Sequence, residues 1–273
     1  MTSDDSVTTV MRTEWRGAGA TSSLDRVARE EPLEIRVGGI PLAVVMRTPG
    51  HDEELVRGFL VTERIVDHPQ AIASIRHCTI ADTPEAEDNV VQVVLQAGIE
   101  LDLARLRRNL YASSSCAICG KATLAGALAT APPLDDATRV SSHVLYRLPQ
   151  KLREAQRGFD ETGGLHAAGL FSADGETLVV REDIGRHNAV DKVIGHMLLQ
   201  DRAPLDHHLL MVSGRASFEI MQKAVMARMP IVCAVSAPSS LAVETAREFG
   251  VTLVGFLRED DFNVYTHAER IEV

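Results

Sequence analysis

From about residue 208 the chain alternates in kind through five segments, HLLMVS, SFEIMQKAVMARM, IVCAVS, SSLAVETAREF and VTLVGFL. The first, third and fifth segments are short, nearly uninterrupted apolar runs. The second and fourth carry apolar residues at helical spacing. Strands without polar alternation must be buried on both faces, and strands joined through helices run parallel, so this pattern predicts a parallel sheet with helices on both faces. Gly250 follows the last helix where a C-terminal glycine belongs. Upstream, HAAGLF and TLVVRED flank Asp174-Gly175 and read as a hairpin with a tight turn. A strongly amphipathic helix should come next, with Val190, Val193, Ile194, Met197 and Leu198 on one face. Residues 137–273 are therefore expected to form an α/β domain.

The first half is less regular. Residues 1–25 are rich in Ser, Thr, Gly, Asp and Ala without periodicity and read as a disordered leader. Residues 26–110 read as a smaller α+β lobe. Within it, a hairpin over Glu34 to Met46 turns at Gly38-Gly39. A helix after Pro49-Gly50 carries Leu55, Phe59 and Leu60 at helical spacing and Asp52, Glu53 and Glu54 in its first turn. Strands follow near Ile72 to Ile80 and Val90 to Leu95, and a further helix is expected from Leu148 to Arg157.

Residues 111–136 form a distinct segment, a Cys-x-x-Cys loop leading into a helix-like stretch. Only four cysteines occur in 273 residues, so a secreted disulfide scaffold does not explain the close pair Cys116 and Cys119. A thiolate needs nearby positive charge, a helix N-terminus or exposure. Arg105, Arg107, Arg108 and Lys121 bracket the pair, and KATLAGALA is placed to begin a helix after Cys119. One cysteine can carry a sulfane sulfur as a persulfide while the other attacks, relays or reduces it. The same spacing also makes half of a zinc knuckle or a redox couple. Against zinc, no second Cys-x-x-Cys or His-x-x-x-His is present, and Cys78 and Cys233 sit in apolar runs that read as core. His166 raises zinc deaminase chemistry, but Ala168 stands where the proton-shuttling Glu is required, and the cysteines precede the histidine. His166 itself reads as a core histidine.

A formal charge of -10 opposes nucleic-acid binding, which depends on Lys and Arg. No apolar run is long enough to span a bilayer, and the first residues lack a signal-peptide pattern, so a soluble, cytoplasmic protein without membrane partners is expected. In a parallel α/β sheet, ligands bind beyond the carboxyl ends of the strands. Three such ends are Ser213-Gly214-Arg215, Ser236 to Ser239, and Arg258-Glu259-Asp260-Asp261. Their hydroxyls, glycine and arginines suit a phosphorylated or nucleotide ligand. Asp260 and Asp261 offer acceptors to adjacent donors on a guanine edge. Asp183, Arg186 and His187 are placed to face the same site. Each feature also has a structural reading: Ser217 and Ser239 as helix N-caps, Asn188 as the cap of the amphipathic helix, and the two aspartates as solvated surface.

Five blocks in order, SSSCAICGKAT, TGGLHAAGLF, REDIGRHNAVDKVIG, SGRASFEIMQKA and FLREDDFNVYTHAERI, resemble the signature blocks of the formate dehydrogenase accessory sulfurtransferases, the FdhD-type family. The likeness runs from about residue 30 to the C-terminus. It implies an enzyme, a sulfurtransferase with a cysteine persulfide intermediate. A cysteine desulfurase loads Cys116, with Cys119 as its partner thiol. The sulfur passes to a bound substrate, the bis-molybdopterin guanine dinucleotide form of the molybdenum cofactor, before formate dehydrogenase receives it; no tightly held metal of the protein's own is implied. Phe256, Leu257, Arg258, Glu259, Asp260 and Asp261 match the family's cofactor-binding stretch, joined by Ser213, Gly214 and Arg215 from the strand-end reading. The family further implies a cytidine-deaminase-like sheet and a homodimer. Ala117 departs from the Cys-Gly-x-Cys common in the family, which bears on the loop rather than the chemistry. Two other readings stand beside this one: a non-catalytic carrier of the guanine-dinucleotide cofactor, and a zinc hydrolase of deaminase type.

Overall fold

The computed structural model describes residues 6–78, 88–99 and 131–273. Its first elements are β1 (Val7–Arg16) and β2 (Gly19–Ala28), an antiparallel ribbon paired from Val7↔Ala28 to Arg16↔Gly19. This corrects the reading of residues 1–25 as a disordered leader. Thr8, Thr9, Val10 and Thr13 are β-branched, and Gly17 supplies the positive φ of 59° that the tight turn needs. Low apolar content hid the strands because the ribbon is largely exposed, Met11, Trp15 and Leu24 included. Arg26 ties its base to Glu161 at 2.8 Å.

A four-stranded sheet of order β4-β3-β6-β5 follows, from β3 (Glu31–Val37), β4 (Ile40–Arg47), β5 (Ile72–His77) and β6 (Val90–Leu95). The hairpin expected at Gly38-Gly39 is present, with φ of 57° and 83°. Helix α1 (Asp52–Thr62) lies between β4 and β5 where the sequence placed it.

After β7 (Val140–Ser141), α2 (Ser142–Glu154) starts earlier than expected. The Ser141 hydroxyl accepts from His143 N, and the Val144, Leu145, Leu148 and Leu152 stripe is buried despite Pro149 within the helix. Then come α3 (Arg157–Thr162), β8 (His166–Ser172), β9 (Thr177–Asp183) and α4 (Arg186–Leu199). The run ends with β10 (His208–Val212), α5 (Phe218–Met226), β11 (Ile231–Ala234), α6 (Ser240–Glu248), β12 (Thr252–Gly255), β13 (Asn263–Thr266) and β14 (Ile271–Glu272).

The large sheet has the order β13-β12-β11-β10-β8-β9. Only β10, β11 and β12 run parallel; β8 joins β10, and β13 joins β12, antiparallel. The three strands expected to run parallel do so, and the antiparallel strands on either side make the whole sheet mixed, because strand-helix alternation covers only the three central strands. Both faces are covered as expected. Leu209, Met211, Ile231, Cys233 and Val254 pack with α2, while their neighbours Leu210, Val212, Val232, Ala234 and Leu253 share a core with α4, α5 and α6. That second core continues into the first half through Leu33, Ile35, Leu55 and Leu60.

Helix α4 is buried on nearly every side, because α1 covers the face that the sequence pattern left to solvent. Two glycines set the crossing. A Cβ on Gly195 would overlap the carbonyl of Glu54, and one on Gly58 would overlap the carbonyl of Asp191. The polar side chains caught between the layers are paired: Lys192 with Asp183 at 2.7 Å, and Lys223 with Asp191 at 2.9 Å and Glu63 at 2.8 Å. Burial opposes the charge on Lys223, but its two carboxylates outweigh that and raise its pKa. Gly195→Ala should cost about 2–3 kcal/mol by forcing the helices apart. Urea unfolding measures this, and an unchanged midpoint would contradict the close crossing.

Candidate functional site

The carboxyl ends of β10, β11 and β12 share one edge, and their loops are stitched together. Ala216 N donates to Ala237 O, Ser239 N to Ala216 O, Phe256 N to Ser236 O and Leu257 N to Ala234 O. The three strand-end segments named from the sequence therefore form one surface. Because β8 is antiparallel to β10, its first residue, His166, arrives at this same edge opposite Asp183. Helix α4 begins there too, bringing Arg186 and His187.

Gly214 is the centre of the arrangement. A Cβ at this position would sit 3.4 Å from His166 Nδ1 and 3.9 Å from Arg186 Cδ. Any larger residue would fill the space in front of both. Ser213 holds the loop to β8, its hydroxyl accepting from Ala167 N and its own N–H donating to Ala167 O, each at 2.9 Å. Burial lowers the pKa of His166, and the nearby guanidinium groups of Arg186 and Arg215 lower it further against the opposing pull of Asp183. His166 is half-buried at this open edge beside Gly214 and is not the core histidine expected from its apolar strand.

Most arginines in the second half are committed. Arg181 is held by Glu54, Arg258 donates to the carbonyls of Val235 and Leu257, and Arg270 donates to Asp136 O and Thr252. Arg186 and Arg215 differ. Among the described residues, Arg186 gives one hydrogen bond, from Nε to His187 Nε2 at 3.2 Å, and Arg215 gives none. Two like charges converging with terminal donors unspent favour an anion between them. The N-termini of α4 and α5 point at the same loop, neither with a side-chain cap.

The structural readings of the serines separate here. Ser239 Oγ accepts from Ala242 N and is an N-cap. Ser217 caps nothing through its side chain, and its hydroxyl lies 3.3 Å from His187 Nε2. Nor does Asn188 cap α4, whose N-cap is Gly185. Instead Asn188 Nδ2 donates to Met46 O and Asp183 Oδ1.

In the last segment Phe256 is exposed on a left-handed backbone of φ 54°, a strained setting for an aromatic residue. Leu257 is fully buried in the core with α2, so it anchors the loop. Arg258 N donates to Asp261 O at 2.9 Å, closing a turn that leaves Glu259, Asp260 and Asp261 exposed.

Cys116 and Cys119, with Arg105, Arg107, Arg108 and Lys121, lie outside the described residues. Cys233 is buried in the sheet, and burial pushes its thiol up to about 12. Among the described residues no group of three His, Cys, Asp or Glu is placed to hold a metal, and no helix is long and apolar enough to cross a membrane.

A family model, described as the FdhD/NarQ family, matches residues 28–272. The chain belongs to this family. Its relatives include proteins named sulfur carrier protein FdhD. The one from Mycolicibacterium paratuberculosis is 55% identical over 89% of this chain and 90% of the relative. That from Streptomyces coelicolor is 50% identical over 94% of this chain and 92% of its own. A crystal structure from Desulfotalea psychrophila, described as a formate dehydrogenase accessory protein, superposes with a TM-score of 0.77 at 23% identity, covering 97% of this chain and 99% of that one. This likeness establishes a shared α/β fold. For an FdhD-type chain the thiols available for chemistry matter, and Cys233 is not one of them. Alkylation of the folded protein near pH 8 should leave Cys233 unmodified until denaturant is added, as mass spectrometry of its peptide will show.

Proposed function

We propose that this protein is a sulfurtransferase acting on the molybdenum cofactor of formate dehydrogenase, with the strand-end surface binding the cofactor's nucleotide. The observation that carries the reading is the meeting of Arg186, Arg215 and His166 around Gly214, where neither guanidinium has a carboxylate partner among the described residues. A diphosphate is the group this arrangement suits, since planar guanidinium forks match phosphate oxygens in pairs. Phe256 offers an exposed ring beside it for a base to stack on, and Asp260 and Asp261 offer acceptors for a guanine edge. The bis-molybdopterin guanine dinucleotide form of the cofactor presents both groups and is the bound substrate. The names of the relatives, sulfur carrier protein FdhD, support the sulfur-transfer part of the reading.

In the chemistry we propose, Cys116 thiolate attacks the outer sulfur of a persulfide on a cysteine desulfurase. A Cys116 persulfide forms and the desulfurase thiolate leaves. Cys119 thiolate then attacks Cys116 Sγ, releasing the sulfur at the sulfide level to the cofactor's molybdenum and leaving a Cys116–Cys119 disulfide that a thiol reductant resets. Chain length permits the meeting. Cys119 precedes Ala131 by twelve residues, which reach about 40 Å when extended, whereas a five-residue strand spans about 17 Å. The product is delivered to formate dehydrogenase, and a homodimer and a cytoplasmic setting belong to the same proposal, as does the kinship of the sheet to cytidine deaminases.

Incubation with a desulfurase and cysteine should add sulfur to the wild-type protein by mass and not to Cys116→Ala. An undiminished adduct on the variant would remove Cys116 as the nucleophile. Arg215→Ala should weaken GDP binding about tenfold in calorimetry, the loss expected for a charge-assisted contact. It should also flatten the salt dependence. Unchanged affinity would place the diphosphate elsewhere. A double Cys116→Ala, Cys119→Ala variant that still activates formate dehydrogenase in cells would favour a non-catalytic cofactor carrier.

A further inference from the structure

His187 has no role in the chemistry above, yet it holds the one hydrogen bond that Arg186 gives among the described residues. Its Nε2 accepts the Arg186 Nε–H at 3.2 Å. The same nitrogen lies 3.3 Å from Ser217 Oγ and 3.8 Å from Glu219 Oε2. A Ser-His-Glu triad is excluded by this geometry, because serine and carboxylate approach one nitrogen and not opposite sides of the ring. The hydrogen bond from Arg186 also fixes the tautomer. Nε2 is the acceptor, so the proton of the neutral ring is on Nδ1. Burial, followed by the charge of Lys223, holds His187 down to about 4 against Glu219, with Arg186 adding to the lowering. The ring therefore stays neutral at physiological pH and keeps its lone pair.

An arginine side chain has several soft torsions, and a guanidinium that reaches a phosphate from a free rotamer loses entropy on binding. A hydrogen bond at Nε removes much of that freedom while leaving both terminal nitrogens unspent. We infer that His187 is a positioning residue whose Nε2 holds the Arg186 Nε–H, so that the two terminal amino groups of Arg186 are presented beside Gly214 to a phosphate of the ligand. The inference rests on the anion site proposed above. Ser217 stands beside this contact, its hydroxyl 3.3 Å from His187 Nε2 and hydrogen-bonded to the Glu219 carboxylate rather than capping α5.

The test is a thermodynamic cycle on the full-length protein with GDP as probe, read by calorimetry alongside thermal melting. His187→Leu removes the acceptor at similar size and should weaken GDP about tenfold with little change in melting temperature. His187→Gln restores an acceptor near the Nε2 position and should recover most of the loss. In an Arg186→Ala background His187→Leu should change affinity less than twofold, because nothing is left to position. Nitrogen NMR of the free protein supplies a readout independent of ligand: the Arg186 Nε–H should exchange slowly in the wild type and fast in His187→Leu. Full additivity of the two substitutions, or an unaltered Nε–H signal, overturns the inference while leaving the anion site standing. No GDP binding by the wild type overturns both.

Discussion

The buried carboxylate of Asp183 is the point on which the arrangement turns. Asp183 is fully buried at the end of β9 and takes four donors, Lys192 Nζ, Thr48 N, Gly185 N and Asn188 Nδ2, while Ile184 N donates to the Thr48 hydroxyl and closes the same knot. A carboxylate in such a place is tolerable only because a charge and several N–H groups meet it. In meeting it, they fasten the β4–α1 loop of the first half to the start of α4. Lys192 Nζ also reaches Thr48 O at 2.9 Å, and Asn188 reaches Met46 O at 2.8 Å. The start of α4 is where Arg186 and His187 stand, so the knot that joins the two halves also sets the direction of the groups at the strand-end surface.

Below the knot the joint is made by close contact. Gly58 and Gly195 let α1 and α4 approach until backbone touches backbone, and Lys223, Asp191, Thr62 and Glu63 close the far end of that seam. Glu54 sits in the middle. Burial opposes its charge, yet hydrogen bonds from Arg181, His51 and His196 hold its carboxyl well below the usual range. The first half is thus less an appended lobe than the outer layer of one core, with Leu33, Ile35 and Leu55 continuous with Val190 and Ile194. Rigidity of this kind suits the anion site we propose, where two arginines stand near each other ahead of any ligand.

The sequence made the alternating strands β10 to β12 and the Gly38-Gly39 and Asp174-Gly175 hairpins legible, because burial on two faces and positive φ leave local marks in residue choice. It did not show that β8 and β13 run against the central strands, since pairing between distant segments has no periodicity of its own. The ribbon of residues 7–28 escaped notice because an exposed hairpin needs no apolar stripe. At the site, Ser213, Gly214, Arg215 and Arg258 to Asp261 could be named from strand ends, Arg186 from the charged stretch ahead of the amphipathic helix, and Phe256 and Leu257 only from the family resemblance. His166 was misread because an apolar strand hides which of its ends faces the open edge. Asn188 was read as a helix cap, and Lys192 carried no signal: a lysine amid apolar residues announces a buried pair only once Asp183 is known to lie across from it. Leu257 was grouped with the ligand-binding stretch, whereas its full burial makes it the anchor of that stretch.

The central claim is that a nucleotide diphosphate is held at the joined ends of β10, β11 and β12. A crystal structure with GDP bound tests it most directly. The account predicts phosphate density beside Gly214, within hydrogen-bonding distance of Arg186 and Arg215, with the base toward Phe256 and Asp260. Nucleotide density away from these three strand ends would contradict it.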